Sequence, residues 1–316
     1  MTSVGPSSAW DLGRVPDQSG RLAVVTGANS GIGWVTALEL ARRGASVVLA
    51  CRSAARGADA LARLREEAPA ARFELRTLDL ADLGSVRAFA EGLEHDRVDL
   101  LVNNAGLAMV PFARTADGFE THLGVNHLGP FALTGLLLPR LLRAREPRVV
   151  TVSSEAQRVT RFRLERLGAE RRYRAFTAYL LSKRANLYFG MELQRRADDS
   201  AAALRSFVVA PGLTRSNVLA SEEHTGQGGL YGELLPRLAR LLAKPTADGA
   251  LTSVYAATEP ELPGGSYVVP GGPLQQRGAP VARREPAMRD RATAGRLWEL
   301  SERLTGVTFR FGSTGG

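Results

Sequence analysis

Tyr179 and Lys183 stand one helical turn apart in the stretch AYLLSKRAN, in a 316-residue chain with 41 basic residues of which only Lys183 and Lys244 are lysine. At i and i+4, a phenol and an ammonium project from one face of a helix. A neighbouring ammonium stabilises phenolate, so it draws the tyrosine pKa down from about 10 and makes the phenol a usable acid or base near neutral pH. Lysine in a chain that otherwise prefers arginine suits a place that wants a compact charge with rotatable donors rather than a planar fork. Ser154 closes the segment PRVVTVSS, where a hydroxyl can hydrogen-bond a substrate oxygen as charge grows on it. Asn126, in VNHLG, is a poor helix former inside a helical stretch and so points to a polar duty. Its neighbour His127 reads as a packing residue.

A second set of residues suits a nucleotide. TGANSGIG (26–33) follows the first apolar run, and its glycines allow a tight turn close to a phosphate at the start of a helix. Gly27, Asn29, Ser30, Gly31, Ile32 and Gly33 are the candidate contacts. Their spacing, G-x-x-x-G-x-G, is not the G-x-G-x-x-G dinucleotide fingerprint. Where an NAD site usually carries an acidic residue for the ribose 2′-hydroxyl, the second run ends in Cys51 and Arg52, and a guanidinium there favours the 2′-phosphate of NADP(H). Asp79 and Leu80 follow the third run and are placed to meet an adenine. Asn104, Ala105 and Gly106 end the fourth in a small-residue turn that can approach a ribose. Pro211 and Gly212 turn the chain after the sixth, with the Ser216 hydroxyl nearby.

The elements that must position these groups alternate. Apolar, β-branched runs at 21–26, 45–51, 72–78, 98–104, 147–153, 204–210 and 265–269 are separated by amphipathic stretches at 31–43, 55–68, 82–94, 118–143 and 176–197. Strands apolar on both faces and separated by helices imply an α/β, doubly wound, Rossmann-type parallel sheet of about seven strands, with ligands beyond the strands' carboxyl ends. Each candidate follows a strand or lies on a helix that returns to that end. One domain is expected over 18–270, preceded by a flexible tail (1–17) and followed by an extension (271–316) packed on it. The extension has an apolar stripe at 288–304. The segment 213–243, with its glycine pairs and apolar runs, reads as a substrate lid.

Composition narrows the function. Hydrophobic content is 44% and charged content 23%, as in an ordinary globular protein. The net charge of +9 is spread among acidic residues, and its densest cluster, 277–291, lacks the aromatic interleaving of a nucleic-acid surface, so no nucleic-acid partner is expected. A single cysteine, Cys51, excludes an internal disulfide framework and a cysteine zinc site, and His122 and His127, five apart, do not share a helical face. No metal is expected. The N-terminus has neither a basic nor an apolar signal region, and the run 131–139 is too short to span a bilayer, so a cytoplasmic protein is expected.

With TGANSGIG, NNAG, Asn126, Ser154 and the Tyr179–Lys183 pair in order over residues 20–260, the chain resembles the short-chain dehydrogenase/reductase family. The stretches VNHLGPFALTGLLLP, ERRYRAFTAYLLSKRANLYFGMELQRR and RLWELSERLTGV are similar to its retinol-dehydrogenase-like branch and the soluble bacterial relatives of that branch. The resemblance implies NADP(H) as cofactor and hydride transfer with a hydrophobic or polycyclic carbonyl or alcohol. It makes Tyr179 the proton donor or acceptor, puts Lys183 on the nicotinamide ribose and Ser154 on the substrate oxygen, and places Asn126 in a water-linked proton relay. Ser216 stands where the family often has a threonine on the carboxamide. Homodimers or homotetramers are the implied assemblies. Pro130, Leu180, Leu181 and the charged residues between Ser154 and Tyr179 depart from the branch. A composition rich in Ala and Arg, with almost no Lys, is compatible with a high-GC bacterial source, where tailoring in secondary metabolism is one role. Other readings are a redox-assisted epimerase or dehydratase on the same scaffold, and a non-catalytic NADP(H) sensor. If Lys183 has the geometric duty argued above, Lys183→Arg keeps the charge yet lowers kcat by roughly 100-fold, about 2.7 kcal/mol of lost transition-state stabilisation. Steady-state turnover within a few-fold of wild type would assign the lysine to composition alone.

Overall fold

The computed structural model describes residues 10–212, 246–272, 275 and 278–312. The expected lid, Ser216 and Lys244 lie outside them. Among the described residues, eight strands form one sheet in the order β3-β2-β1-β4-β5-β6-β7-β8. They are β1 (Leu22–Thr26), β2 (Ser46–Cys51), β3 (Arg72–Thr77), β4 (Leu100–Asn103), β5 (Arg148–Val152), β6 (Arg205–Val209), β7 (Tyr267–Pro270) and β8 (Pro280–Arg283). The first seven pair in parallel, as the two-sided apolar runs require.

The two-residue period of a strand divides β1 between two cores. Val24 faces α3 (Leu83–Glu91), α5 (Gly129–Leu141) and α6 (Ala175–Asp199) through Phe89, Leu137 and Phe189. Ala23 and Val25 face α1 (Gly31–Arg42) and α7 (Thr246–Thr258) through Leu40 and Ala257. The helix α2 (Ala54–Glu67) joins the second face through Leu64. The last helix, α8 (Arg291–Thr305), sets Trp298 against Phe131 and Phe309 at ring-centroid separations of 5.1 and 4.4 Å, so the C-terminal segment completes the first core. The strand order reverses between β1 and β4, and at such a switch point the loops part into a crevice.

Three expectations need correction. The sheet has an eighth strand beyond the seven runs read from the sequence: β8 pairs antiparallel with β7 inside the expected C-terminal extension. Its sequence, PVAR, is too short to show periodicity, and its proline stands at the first position of an edge strand, where a missing N–H is tolerated. The helix expected over 118–143 is three pieces, α4 (Thr121–Leu123), a π-helical turn (Gly124–Leu128) and α5. Pro130 has no N–H to give the Asn126 carbonyl four residues back, so the α-helical ladder cannot continue through this point. The packed domain begins ahead of residue 18: Val15 is buried, and Trp10, also buried, meets Tyr255 edge-on at 5.1 Å.

Candidate active site

Gly27 and Gly31 hold the turn after β1 with φ of 66° and 61°, a region that costs little only for glycine. At Gly33 the constraint is space: a Cβ there would lie 2.5 Å from the Gly27 oxygen and 2.4 Å from Asn104 Nδ2. The turn leads into α1, where Ser30 is the N-cap but makes no side-chain capping bond. The helix therefore presents its first N–H groups, its positive dipole end and a free hydroxyl together. Across the switch point, Thr26 Oγ1 accepts the N–H of Asn104 and of Ala105 at 3.0 Å each, and Asn104 Nδ2 donates to the Thr26 carbonyl at 2.8 Å. Asn104 thus spends its amide tying two loops together.

A cleft of about 300 Å³ opens above these loops. Gly27, Asn29, Ser30, Gly31 and Ile32 line one wall, with Arg52 exposed at the outer end beside Ser53 and Arg56. Asp79 and Leu80 line it next. The Asp79 carboxylate accepts the Ala81 N–H at 2.9 Å, which fixes the turn after β3. Ala105 and Gly106 continue the lining from Asn104, and Pro211 closes it beside Gly212, which has a φ of 73°. At the inner end stand Tyr179 and Lys183, both from the first turns of α6.

Lys183 is 5% exposed, and its Nζ donates to the Val152 carbonyl at 3.1 Å. Ser153 Oγ donates to the Lys183 carbonyl at 2.7 Å and Asn186 Nδ2 to the Val152 carbonyl at 3.2 Å, so the helix is stitched to the end of β5 at this turn. Gly106 leaves the needed room, since a Cβ there would sit 3.1 Å from both Lys183 Nζ and Asn126 Oδ1. Ser154 stands close enough to the Tyr179 hydroxyl to draw its pKa down, and it accepts the Ala156 N–H at 3.3 Å, capping the short turn Glu155–Val159; it does not itself line the cleft. Asn126 does not line the cleft. Its Oδ1 accepts the Leu107 N–H at 2.7 Å, and its Nδ2 donates to the Leu107 carbonyl at 3.0 Å and to Ser182 Oγ at 2.9 Å. His127 is buried with Nε2 2.9 Å from Ser301 Oγ, and burial brings its pKa down to about 4, in keeping with a packing role.

The electrostatics correct one expectation. Burial raises the Tyr179 phenol above its ordinary value, and only the neighbouring Ser154 hydroxyl draws it back. The chain alone therefore does not lower it, because Lys183 is itself desolvated and its ammonium is brought down to about 8 by burial. Sequence reasoning also missed residues that line the cleft: Arg56, Leu107, Ala108 and Val125. Arg56 was within reach of reading, since it follows Arg52 by four residues at the start of a helix. The other three are apolar and carry no signal of their own.

Fold and cleft together define a doubly wound α/β protein built to hold a nucleotide beside a serine–tyrosine–lysine group. The chain belongs to the short-chain dehydrogenase family, whose model matches residues 21–226. It is an oxidoreductase of the retinol-dehydrogenase-like branch: it is 40% identical to human retinol dehydrogenase 12 over 91% of this chain and 87% of that protein. Identity to the human WW domain-containing oxidoreductase is also 40%, over 99% of this chain and 74% of the relative. A crystal structure of an uncharacterised protein from Mycobacterium paratuberculosis superposes with a TM-score of 0.78 at 43% identity, covering 96% of this chain and all of that one. Among the described residues no helix is long and apolar enough to cross a membrane.

Burial of Lys183 predicts a cost in stability. With its pKa near 8 in the fold and 10.5 when unfolded, the unfolded chain binds more protons between these values. Stability from this group therefore rises as pH climbs from about 8 to 10.5, and the penalty is fully present at pH 7, on the order of 3 kcal/mol. Lys183→Met, similar in length and uncharged, is expected to raise resistance to urea at pH 7 while abolishing turnover, and the gain over wild type should shrink towards pH 10.5. A variant less stable than wild type at pH 7 would show that the ammonium contributes more contact than it costs.

Proposed function

We propose that this protein is an NADP(H)-dependent reductase, reversibly an alcohol dehydrogenase, acting on a hydrophobic carbonyl or alcohol. The observation that carries the reading is one cleft with an exposed arginine pair, Arg52 and Arg56, at one end and Tyr179 and Lys183 at the other, with Ser154 beside the Tyr179 phenol. The residues fit the cofactor. A Cβ at Gly33 would collide with the Gly27 carbonyl and one at Gly106 would crowd Lys183 Nζ, so both turns stay bare towards the cleft. Ser30 and the start of α1 offer donors for a pyrophosphate, and Arg52 and Arg56 suit a 2′-phosphate. The similarity to proteins named retinol dehydrogenases supports a hydrophobic substrate.

The bound nicotinamide would supply or accept the hydride. Tyr179 is kept protonated by burial, the form needed to give a proton to a carbonyl oxygen as it becomes a hydroxyl. Ser154, beside that phenol, can share the charge developing on the same oxygen. Lys183 lies on the same helical face with donors left for ribose hydroxyls, and its pKa of about 8 lets it exchange a proton near neutral pH. The Asn126 side chain is committed to Leu107 and Ser182, so a relay through this residue would fall to its carbonyl, which Pro130 deprives of the usual helical donor.

Two measurements test the reading. Arg52→Ala should weaken NADPH by roughly 10- to 150-fold, the loss of a charge-assisted contact, and leave NADH almost unchanged. A wild-type preference for NADH, or equal losses for both, defeats the cofactor assignment. Tyr179→Phe should leave NADPH affinity nearly intact and cut turnover of aromatic aldehydes by about 100-fold or more. Near-normal turnover in that variant would give the proton to another group, and wild-type binding of NADPH without any turnover would favour a sensor.

A further inference from the structure

Behind the cleft lies a buried polar cluster that the reaction does not use. Glu120 caps α4, its carboxylate accepting the N–H groups of His122 and Leu123 at 2.8 Å each. Its Oε1 is also 2.9 Å from His122 Nδ1, and the two residues are 3% and 0% exposed. Burial would raise the Glu120 carboxyl, but its bonds to the His122 side chain and to the two backbone N–H groups hold it below the usual range, so it is ionised. Tyr173, in the loop before α6, brings its hydroxyl within 2.9 Å of His122 Nδ1 and 2.9 Å of the Val110 carbonyl.

The hydrogens follow from these contacts. The Val110 N–H points at His122 Nε2 at 3.3 Å, so Nε2 offers its lone pair and the ring hydrogen sits on Nδ1, facing the oxygens of Glu120 and Tyr173. Burial, reinforced by the Glu120 charge, raises the Tyr173 pKa, so its hydroxyl keeps its hydrogen and donates it to the Val110 carbonyl. Both backbone polar groups of Val110 are thus held by side chains from two separate segments. Asn126 holds both polar groups of Leu107 in the same way. Between the two clamped residues Met109 sits at a φ of 53°, a left-handed conformation that a side chain adopts at a cost and that surrounding contacts must enforce. Leu107 and Ala108 line the cleft at its inner end, and the His122 ring meets the Tyr179 ring edge-on at 6.3 Å.

We propose that Glu120, His122 and Tyr173 form a positioning clamp that holds the segment Leu107–Val110, whose Leu107 and Ala108 line the cleft, against Tyr179 and so sets which carbonyl compounds fit. No bond is made or broken by the clamp. Its effect on selectivity rests on the reductase reading, but its mechanical part does not. Tyr173→Phe removes the donor to the Val110 carbonyl, His122→Leu removes both ring nitrogens, and His122→Gln returns an acceptor towards the Val110 N–H.

The test is made on the full chain by two routes. In hydrogen exchange, the Leu107 and Val110 amides should exchange about tenfold faster in Tyr173→Phe and His122→Leu, with the Val110 amide largely restored in His122→Gln, as loss of about one hydrogen bond requires. In steady-state assays with NADPH, Tyr173→Phe should raise KM for 2-naphthaldehyde by about tenfold while kcat and NADPH affinity hold within a few-fold, a split that general loosening of the fold would not give. Unchanged exchange at both amides overturns the clamp, and so does a joint fall of kcat and NADPH affinity at constant KM. If wild type reduces no aldehyde, the reductase reading fails and the exchange result alone decides the clamp.

Discussion

Lys183 carries a primary ammonium into the interior, 5% exposed, with the Val152 carbonyl 3.1 Å from its Nζ. A buried charge of this kind is expensive, and the fold meets the expense by making the surrounding backbone unable to yield. Ser153 bonds the Lys183 carbonyl and Asn186 bonds the Val152 carbonyl, so the helix cannot slide along β5. Lower on α6, Gly190 lies so close to β6 that a Cβ would come within 2.3 Å of Val208 Cγ2, which brings the helix axis against the sheet. Buried Ala185, Leu187, Phe189 and Leu193 then anchor it on both sides of that contact. Each neighbour of the cleft is arranged around this placement, down to Gly106, whose missing side chain leaves the space Nζ occupies.

The loops opposite α6 are held by the same economy of short bonds. Thr26 and Asn104 join the turns after β1 and β4, Asn126 grips Leu107, and His122 with Tyr173 grips Val110. None of these side chains needs to touch a ligand to matter. They make a rigid floor out of irregular backbone, whose N–H and C=O groups would otherwise be left without partners. The π-helical turn at Gly124–Leu128 belongs to this floor: it carries Asn126 on one side and His127 on the other, and one register slip would misplace both.

The sequence was most legible where chemistry and backbone demand the same residue. Gly27, Gly31 and Gly33 are readable because positive φ and close approach admit little else, and Tyr179 with Lys183 because helical spacing alone puts them on one face. The parallel sheet was readable from runs that are apolar on both faces. What stayed hidden depends on contacts between distant segments. Glu120, His122 and Tyr173 are ordinary polar residues until folding brings residue 173 back onto residue 122, and Glu285 sits in an arginine-rich run yet is buried against Arg158. The break in the helix before α5 was present in Pro130, whose missing N–H was overridden by the strength of the flanking apolar periodicity. The expected lowering of the Tyr179 pKa failed for a different reason: helical spacing reports proximity, while the direction of the shift is set by burial, which spacing does not report.

The cations at the two ends of the cleft illustrate why the chain departs from its preference for arginine at residue 183. At the outer end Arg52 is exposed, and an exposed guanidinium keeps its charge and its planar fork at no desolvation cost, which suits a phosphate in water. At the inner end the cation must be enclosed, and enclosure of a guanidinium would leave five donors to satisfy with its charge still in place. An ammonium has three donors, one of which the Val152 carbonyl already takes, and burial brings its pKa to about 8, so it can release its proton where guanidinium cannot. Arg148 marks the contrast. It is an enclosed arginine at the start of β5, bonded to the carbonyls of Ala256 and Glu259, and its Nε is left without a partner. Such a group can serve as a brace between a strand and a helix. At the inner end of the cleft burial makes the charge of the cation conditional, and among the side chains that stay protonated in water at neutral pH, lysine alone can be so tuned.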